Sequence, residues 1–215
     1  MVLLCINILI LCGISFLLFK KFARGNNKII FPIAFSVRIL AGISFAWVYI
    51  YIFESEGDTF DYFERAGNLA WIFKNDFWTF FERFISSNTN PSPEYQFSYF
   101  NGGALVFIKL LSLLHLVTGG NYWICTICFS VFSFYCSWKL FLALCNFNSK
   151  LRFPALIAFH FIPMVLFWNS GCLRGSLINS FLCLSVYFTL EIVRFNATKK
   201  TLISMALLAF SLAFL

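Results

Sequence analysis

Charge is scarce in this sequence: Asp, Glu, Lys and Arg make up 12% of the 215 residues, whereas hydrophobic residues make up 60%. A soluble domain carries about twice that charged share and a smaller apolar share. Apolar runs such as 2–19 and 29–53 approach or exceed the roughly 20 residues that a helix needs to cross a bilayer. The composition therefore excludes an ordinary soluble domain and predicts an integral membrane protein.

Histidine and paired cysteine motifs are scarce as well. The chain has two His, and its Cys-x-x-Cys motif, Cys125 to Cys128, lies in an apolar run with no second pair and no nearby His. Most of the eight Cys lie in such runs, where Cys behaves as a small hydrophobic residue. Since a structural zinc site needs four ligands, we expect no zinc or redox centre here.

A basic stretch interleaved with aromatic residues on a polar surface is also missing. The net charge is +7, but the Lys and Arg residues stand mostly in short loops between apolar runs, where they mark the cytoplasmic side of a membrane protein. This pattern excludes nucleic acid as the expected partner and leaves membrane lipid.

What the sequence does contain is a series of long apolar segments. They predict an all-α, polytopic membrane helix bundle that forms one transmembrane domain over 1–215. The spans are predicted at 2–19, 29–53, 122–144, 153–168 and 174–193. A sixth span begins at 201, but the about 14 apolar residues up to Leu215 are too few to cross a bilayer. We expect the chain to be the front part of a longer protein or a truncated copy.

The acidic residues are concentrated in one segment. Loop 20–28 contains four basic residues and no acid, so we expect it to be cytoplasmic and the segment after the second span, 54–100, to face outward. This outer segment holds eight of the nine acids. Within it, residues 60–84 repeat aromatic residues at helical spacing with charges between them, which predicts one or two helices lying in the membrane interface.

The apolar segment 103–117 admits two topologies. If it crosses the membrane, the basic loops 146–152 and 194–200 both lie outside, against the usual placement of Lys and Arg. If it is instead a re-entrant or juxtamembrane helix, both loops are cytoplasmic, and its length is in fact short for a span. We favour the second topology, which puts the turn 168–176 on the same outer side as the acidic segment.

Asp58 has the most specific context among these acids. It follows Gly57 and begins a helix-like stretch, so one interpretation is a helix N-cap. The other is a carboxylate held at the outer membrane surface, where partial desolvation suits a general base. For Glu54, Glu56 and Glu64 we expect only a solvating role.

Two basic residues lie inside apolar segments, where charge is costly and is associated with function. Arg38 lies in the second span, and Glu191 is a candidate partner for it. Lys109 lies in segment 103–117, where it either binds a ligand or extends to the surface.

Three motifs, in this order, resemble those of GT-C glycosyltransferases. The stretch GDTFDYFERA (57–66) is similar to a Gly-Asp-x-x-x-Tyr-x-x-x-Ala stretch in the first outer loop of these multi-span enzymes, which are related to protein O-mannosyltransferases and aminoarabinose transferases. YFNGGALVFIK (99–109) and PMVLFWNSG (163–171) match two further stretches of a branch that is common in Bacteroidetes. The resemblance covers nearly the whole chain.

The resemblance implies an inverting transfer of a sugar from a polyprenyl-phosphate carrier to a glycan or lipid acceptor, at the extracytoplasmic face of the inner (plasma) membrane. Such transfer needs a base and groups that hold the leaving phosphate. Asp58 would be the catalytic base, with Asp61 as the alternative. The residues expected to bind substrate are Tyr62, Lys109, Trp168, Ser170 and Arg174. The polyprenyl-linked sugar is the donor, the resemblance fixes no further cofactor, and a divalent metal is compatible with the reaction.

The sequence departs from this branch in two places: directly after the third motif, and in lacking the C-terminal half, with more spans, that these enzymes normally have. The branch continues Trp-x-Ser-Gly-x-x-Lys-Glu, whereas this chain has Arg174 in place of Lys and Gly175 in place of Glu. Arg keeps the positive charge and binds phosphate as a planar fork, but a carboxylate is lost. One alternative is therefore a degenerate or non-catalytic membrane subunit. A transporter of lipid-linked sugar is the other, and it predicts ionisable residues in broken helices near the bilayer midplane.

Overall fold

The computed structural model describes residues 2–54, 57–85 and 102–194, together with the helical positions 205, 206 and 209. The long elements in these ranges are all α-helices, which confirms the all-α class. The helices are α1 (Val2–Phe22), α2 (Ile30–Tyr51), α3 (Asp58–Asn75), α4 (Phe77–Ile85), α5 (Gly102–Thr118), α6 (Tyr122–Phe147), α7 (Arg152–His160), α8 (Pro163–Trp168) and α9 (Arg174–Arg194). The predicted partial span 201–215 lies outside the described residues, apart from the three helical positions.

Four helices are long and apolar enough to cross a membrane: α1, α2, α6 and α9. They contain 21, 22, 26 and 21 residues, and at about 1.5 Å per residue each can cross the roughly 30 Å of a bilayer core. This confirms a membrane helix bundle. α6 is its central helix and packs against α2, α7 and α9, whereas α1 buries only Asn7 and Phe22.

The segment that the sequence predicts as one span over 153–168 is two helices in the structure, α7 and α8. Pro163 has no backbone N–H and disfavours helical geometry in the residue before it. That residue, Ile162, is extended, with φ of −71° and ψ of 118°. The predicted span is therefore interrupted about half-way along its length, because it contains Pro163.

The break at Pro163 explains the position of Arg38. In an unbroken helix the carbonyl of Phe159 would accept a hydrogen bond from the N–H of residue 163, which proline lacks. Arg38 Nη2 donates to this carbonyl instead, at 2.8 Å. Among the described residues Arg38 forms no ion pair with Glu191, so the structure replaces that candidate partner by a backbone carbonyl at the end of α7.

The loops before α2 and before α7 lie at the same end of the bundle. Arg152 Nη2 donates to Asn27 Oδ1 at 2.8 Å, and Phe22 and Ala155 belong to one buried apolar cluster. α6 and α9 both end at this side, since α9 packs along α6. This is the arrangement expected if α5 does not cross the membrane between α2 and α6.

α3 and α5 close the opposite end of the bundle, which we call the acidic end because Asp58 and Asp61 lie in the first turn of α3. The two helices pack along each other and against the ends of α2 and α6. The core cluster at this end consists of Ala46, Ala66, Phe107, Ile108, Leu111, Tyr122, Cys125, Phe129 and Cys172. The stretches around all three sequence motifs therefore meet in one cluster.

α3 and α4 form a hairpin that exposes aromatic side chains. Asp76 lies between the helices, and its carboxylate accepts hydrogen bonds from the Thr79 hydroxyl and from the backbone N–H groups of Thr79 (3.2 Å) and Trp78 (3.0 Å). These bonds, the hydroxyl foremost, hold the pKa of Asp76 below its usual range. The exposed rings are Trp71, Phe77, Trp78 and Phe81. Such a surface suits the membrane interface, and the interfacial position of α3 and α4 stays a prediction.

Candidate functional site at the acidic end

Thr59 joins three separate parts of the chain. It is fully buried in the first turn of α3, and its hydroxyl donates to the Cys172 carbonyl at 2.7 Å. The Tyr122 hydroxyl lies 3.0 Å from Thr59 Oγ1, and it must be the donor because the single hydroxyl proton of Thr59 is already used. Thr59 thus attaches the start of α3 to the loop before α9 and to the start of α6.

Replacing Thr59 with Val is expected to lower the free energy of unfolding by about 1–3 kcal/mol. Val has nearly the same shape, but it leaves the buried Cys172 carbonyl and Tyr122 hydroxyl without their partner. Thermal unfolding of the purified protein in detergent measures the change, with Thr59→Ser, which keeps the hydroxyl, as the matched control. An equal loss in both variants would assign the effect to the methyl group and contradict this account.

The structure places Gly57, not Asp58, at the N-cap of α3, so the capping interpretation of Asp58 is wrong. Gly57 has a φ of 110°, in the region that favours glycine, and a Cβ on it would lie 3.3 Å from the Tyr49 ring. Asp58 is the first helical residue, and its side chain is exposed. The dipole of α3 favours a carboxylate in this first turn.

Tyr62 lies among the charged residues of the acidic end. Burial raises the pKa of its hydroxyl, and the carboxylate of Asp58 adds to this, whereas the guanidinium of Arg174 acts in the opposite direction. Its ring packs edge-on against Phe107, with the ring centroids 5.4 Å apart. The bond between Thr59 and the Cys172 carbonyl joins the segments that contain Asp58, Tyr62 and Arg174, so all three lie at the acidic end.

Asp61 also acts on Tyr62, but its carboxylate already has a partner. Asp61 Oδ1 accepts a hydrogen bond from Arg65 Nε at 2.9 Å, one helical turn further along α3. An oxygen held in this way is less available to a reacting hydroxyl. Among the described residues Asp58 forms no such ion pair.

Arg174 is the first residue of α9. The backbone N–H groups of a helix's first turn have no partner within the helix, and with a guanidinium beside them they attract anions. Ser176 Oγ donates to the Asn169 carbonyl at 2.9 Å and so holds the preceding loop in place. Gly175 faces open space, because a Cβ on it would meet no atom within 4 Å.

Trp168 and Ser170 have different surroundings. Ser170 is fully buried; its hydroxyl donates to the Leu166 carbonyl at 2.5 Å, and its own carbonyl accepts from Ser130 Oγ at 2.6 Å. Its position does not support the predicted contact between Ser170 and substrate, because the hydroxyl is used inside the fold. Trp168 ends α8 with 46% of its surface exposed, and its ring centroid lies 6.4 Å from that of Phe45.

Lys109 lies on a different face of α5 from the residues of the core cluster. Phe107, Ile108 and Leu111 point into that cluster, whereas Lys109 Nζ lies 5.9 Å from the ring centroid of Phe84 near the end of α4. Lys109 therefore contacts the α3–α4 hairpin at Phe84.

Tyr49 belongs to this site although the sequence analysis did not nominate it. It lies next to Gly57, and the charge of Asp58 acts on its hydroxyl. Its ring stacks on Phe45 at 4.5 Å and contacts Phe53 at 5.2 Å. The spacing of the aromatic residues could have indicated Tyr49, because aromatic residues four positions apart line one face at the end of α2.

The described residues contain no group of three or more His, Cys, Asp or Glu side chains that could hold a metal ion. Asp58 and Asp61 offer two carboxylates, and the second is bonded to Arg65. Cys125 is buried with its thiol 3.2 Å from the Thr118 hydroxyl. We therefore derive no catalytic step through a metal.

A comparison with known protein families finds no family model that matches the chain. No curated protein and no solved structure matches it significantly either. The similarity to GT-C glycosyltransferases therefore rests on the three sequence motifs alone.

Proposed function

We propose that the protein is a GT-C-type glycosyltransferase that moves a sugar from a polyprenyl-phosphate carrier to an acceptor hydroxyl at the acidic end of the bundle. The observation that supports this most is the hydrogen bond from Thr59 to the Cys172 carbonyl, because it holds the neighbouring residues Asp58 and Arg174 at the same end of the bundle. A carboxylate and a guanidinium at one end supply the two charges that the reaction needs, a base and a ligand for the leaving phosphate.

In the proposed reaction, the acceptor oxygen forms a bond to the anomeric carbon while the bond from that carbon to the phosphate oxygen breaks. Asp58 takes the proton of the acceptor hydroxyl. Attack from the side opposite the phosphate inverts the anomeric configuration. Arg174 and the N–H groups at the start of α9 hold the departing polyprenyl phosphate and its negative charge.

Aromatic rings lie near these charged residues and could bind the sugar by stacking. Tyr49 and Trp168 both lie beside the buried ring of Phe45, with centroid distances of 4.5 Å and 6.4 Å, so they belong to one aromatic group. A ring stacked against the apolar face of a sugar buries carbon surface and leaves the hydroxyl groups to polar partners. We therefore include Tyr49 with Trp168 in the proposed substrate site.

We further propose that the acidic end faces the extracytoplasmic side of the plasma (inner) membrane. The basic loops before α2 and α7 lie at the opposite end, and Lys and Arg in short loops favour the cytoplasm. The polyprenyl chain would then lie in the outer leaflet beside the bundle, with a glycan or lipid acceptor arriving from outside.

A transporter of lipid-linked sugar is the second candidate. The break between α7 and α8, with the buried Arg38 bonded at it, favours this function, since broken helices with polar groups near the bilayer midplane occur in transporters. A transporter moves the carrier between leaflets and leaves the bond between sugar and phosphate intact. The fate of that bond separates the two candidates.

Proteoliposomes that contain the purified protein and a polyprenyl-phosphate sugar with labelled sugar test the proposal. We expect the label to appear on an added acceptor and the sugar-free polyprenyl phosphate to appear in the lipid fraction. Labelled donor that changes leaflet with its sugar still attached would support the transporter instead. Donor that neither moves nor reacts would contradict both functions and favour a non-catalytic subunit.

Gly175→Glu is expected to raise the rate of transfer without disturbing the fold. The substitution restores the carboxylate that the resemblance leads us to expect, and a side chain there meets no atom within 4 Å of its Cβ. A Glu in the first turn of α9 is itself favourable by about 0.3–1 kcal/mol. Gly175→Gln, which matches Glu in size without its charge, is the control in the same transfer assay. A rate that stays low in both variants would show that the missing carboxylate is not what limits this chain.

A further inference from the structure

Arg38 carries a charge deep inside the membrane segment. It lies about 12 Å along α2 from Ile30, where the helix begins. Only 1% of its surface is exposed, and its contacts are with α6 and α7. Arg stays protonated in proteins, and a buried charge is costly unless an opposite charge compensates it.

The part of the chain that the structure describes places no acid at this level. Eight of its nine acids lie between residues 54 and 94, and the ninth is Glu191. The charge of Arg38 acts on Cys183 in α9, and Glu191 lies about 12 Å further along that helix. α1, α2, α6, α7 and α8 contain no Asp or Glu. Among residues 2–54, 57–85 and 102–194, therefore, no acidic side chain compensates the charge of Arg38.

Several nitrogen atoms around Arg38 have no hydrogen-bond partner among the described residues. Arg38 Nη2 donates to the Phe159 carbonyl and lies 3.5 Å from Ser137 Oγ, but Nε and Nη1 are unmatched. So are the indole nitrogen of Trp138 and both ring nitrogens of His160.

The unmatched groups lie together. His160 is fully buried, and its ring centroid lies 5.2 Å from that of Trp138. Arg38 contacts the residue before each of them, Phe159 and Ser137. The cluster thus combines one full positive charge with an excess of N–H donors: two positions of Arg38, the indole N–H of Trp138 and one N–H of His160.

We propose that Arg38, Trp138 and His160 form a buried site for one small inorganic anion of the halide class, such as chloride. A halide brings the single negative charge that Arg38 lacks and accepts several N–H bonds without a fixed geometry. A water molecule would satisfy donors but leave the charge uncompensated. A lipid phosphate stays at the membrane surface, about 12 Å from this level. The site is independent of the sugar-transfer proposal.

The bound anion joins the elements that meet at the helix break. Arg38 comes from α2, Trp138 from α6 and His160 from the end of α7. With Arg38 also bonded to the Phe159 carbonyl, the halide adds to the contacts that join the end of α7 to α2 and α6. Stability of the bundle should therefore depend on which anion is present.

Thermal unfolding of the purified protein tests the site, with chloride or bromide compared with gluconate at equal ionic strength. We expect a saturable rise in Tm with either halide, by about 5 °C at saturation, and none with gluconate, which is too large. Arg38→Met should abolish the halide dependence. The same Tm in all three salts would overturn the proposal.

Trp138→Phe covers the case in which Arg38→Met does not fold. This variant keeps a buried ring and removes one N–H, so it should raise the halide concentration at half-saturation several-fold. An unchanged half-saturation would contradict the assigned ligands. Anomalous diffraction from crystals in bromide should show one peak beside Arg38; ordered water alone at this position would overturn the proposal as well.

Discussion

Asp58→Asn is expected to reduce the rate of sugar transfer by about 10²–10⁴-fold while the protein stays folded. Asn has nearly the same shape as Asp but cannot take the proton of the acceptor hydroxyl, and loss of a general base costs a factor of this order. The side chain of Asp58 is exposed, and Gly57 provides the N-cap of α3, so the substitution leaves the buried contacts of α3 intact. Initial rates in proteoliposomes measure the effect.

Two further variants of α3 make this experiment specific. Glu64→Gln removes an exposed carboxylate from the same helix and should leave the rate unchanged. Asp61→Asn breaks the pair with Arg65 and should reduce the rate far less than Asp58→Asn does. The opposite order, with Asp61→Asn inactive and Asp58→Asn active, would transfer the role of base to Asp61.

Arg174→Ala is expected to reduce transfer by about 10²–10³-fold, the usual loss when one group that stabilises a leaving anion is removed. Arg174 begins α9, and its charge acts on Tyr62 across the site. Without it, the phosphate keeps only the N–H groups of the first helical turn. The loss should appear in the rate at saturating donor and, through weaker binding, in the donor concentration needed for half-maximal rate.

Arg174→Lys is the matched control, because it keeps the positive charge and loses the planar fork. We expect it to retain much more activity than Arg174→Ala, in keeping with the Lys that the resemblance shows at this position. Full activity of Arg174→Ala would remove Arg174 from the site. Equal loss in both variants would mean that the fork geometry matters and the charge alone does not.

The long membrane helices could be predicted from hydropathy, because burial in lipid requires an unbroken apolar run. The predicted span 2–19 corresponds to the observed helix Val2–Phe22, and the predicted span 122–144 corresponds to the helix Tyr122–Phe147. The run 153–168 did not become one helix, because hydropathy counts Pro163 as one residue among many. Pro163, however, lacks a backbone N–H and disfavours a helical conformation at Ile162, and these two effects interrupt the helix.

The site could be predicted only in part. Charge placement predicted Asp58 and Arg174 on one side of the membrane, and the bond from Thr59 to the Cys172 carbonyl places both at one end of the bundle. Contacts that depend on burial were not visible in the sequence. Thr59 is a single hydroxyl between Asp residues, yet its bond to the Cys172 carbonyl positions the site, and Ser170, which its motif nominates, turns its hydroxyl inward.

The close contact that requires glycine at position 171 could not be predicted from the sequence either. A Cβ on Gly171 would lie 2.5 Å from the ring of Phe45, which is buried in α2. The third motif therefore needs glycine here because the loop before α9 passes directly over an aromatic ring. Sequence alone shows the glycine but not the ring that it faces.

Native mass spectrometry of the protein, extracted gently from its membrane, tests the central claim most directly. The account predicts that the wild-type protein retains a polyprenyl phosphate or its glycosylated form, identified by mass. Arg174→Ala should lose this ligand, and Lys20→Ala, a change of an exposed cation at the opposite end of the bundle, should keep it. Retention of bulk phospholipid alone by the wild-type protein would contradict the claim that the acidic end binds a lipid-linked sugar donor.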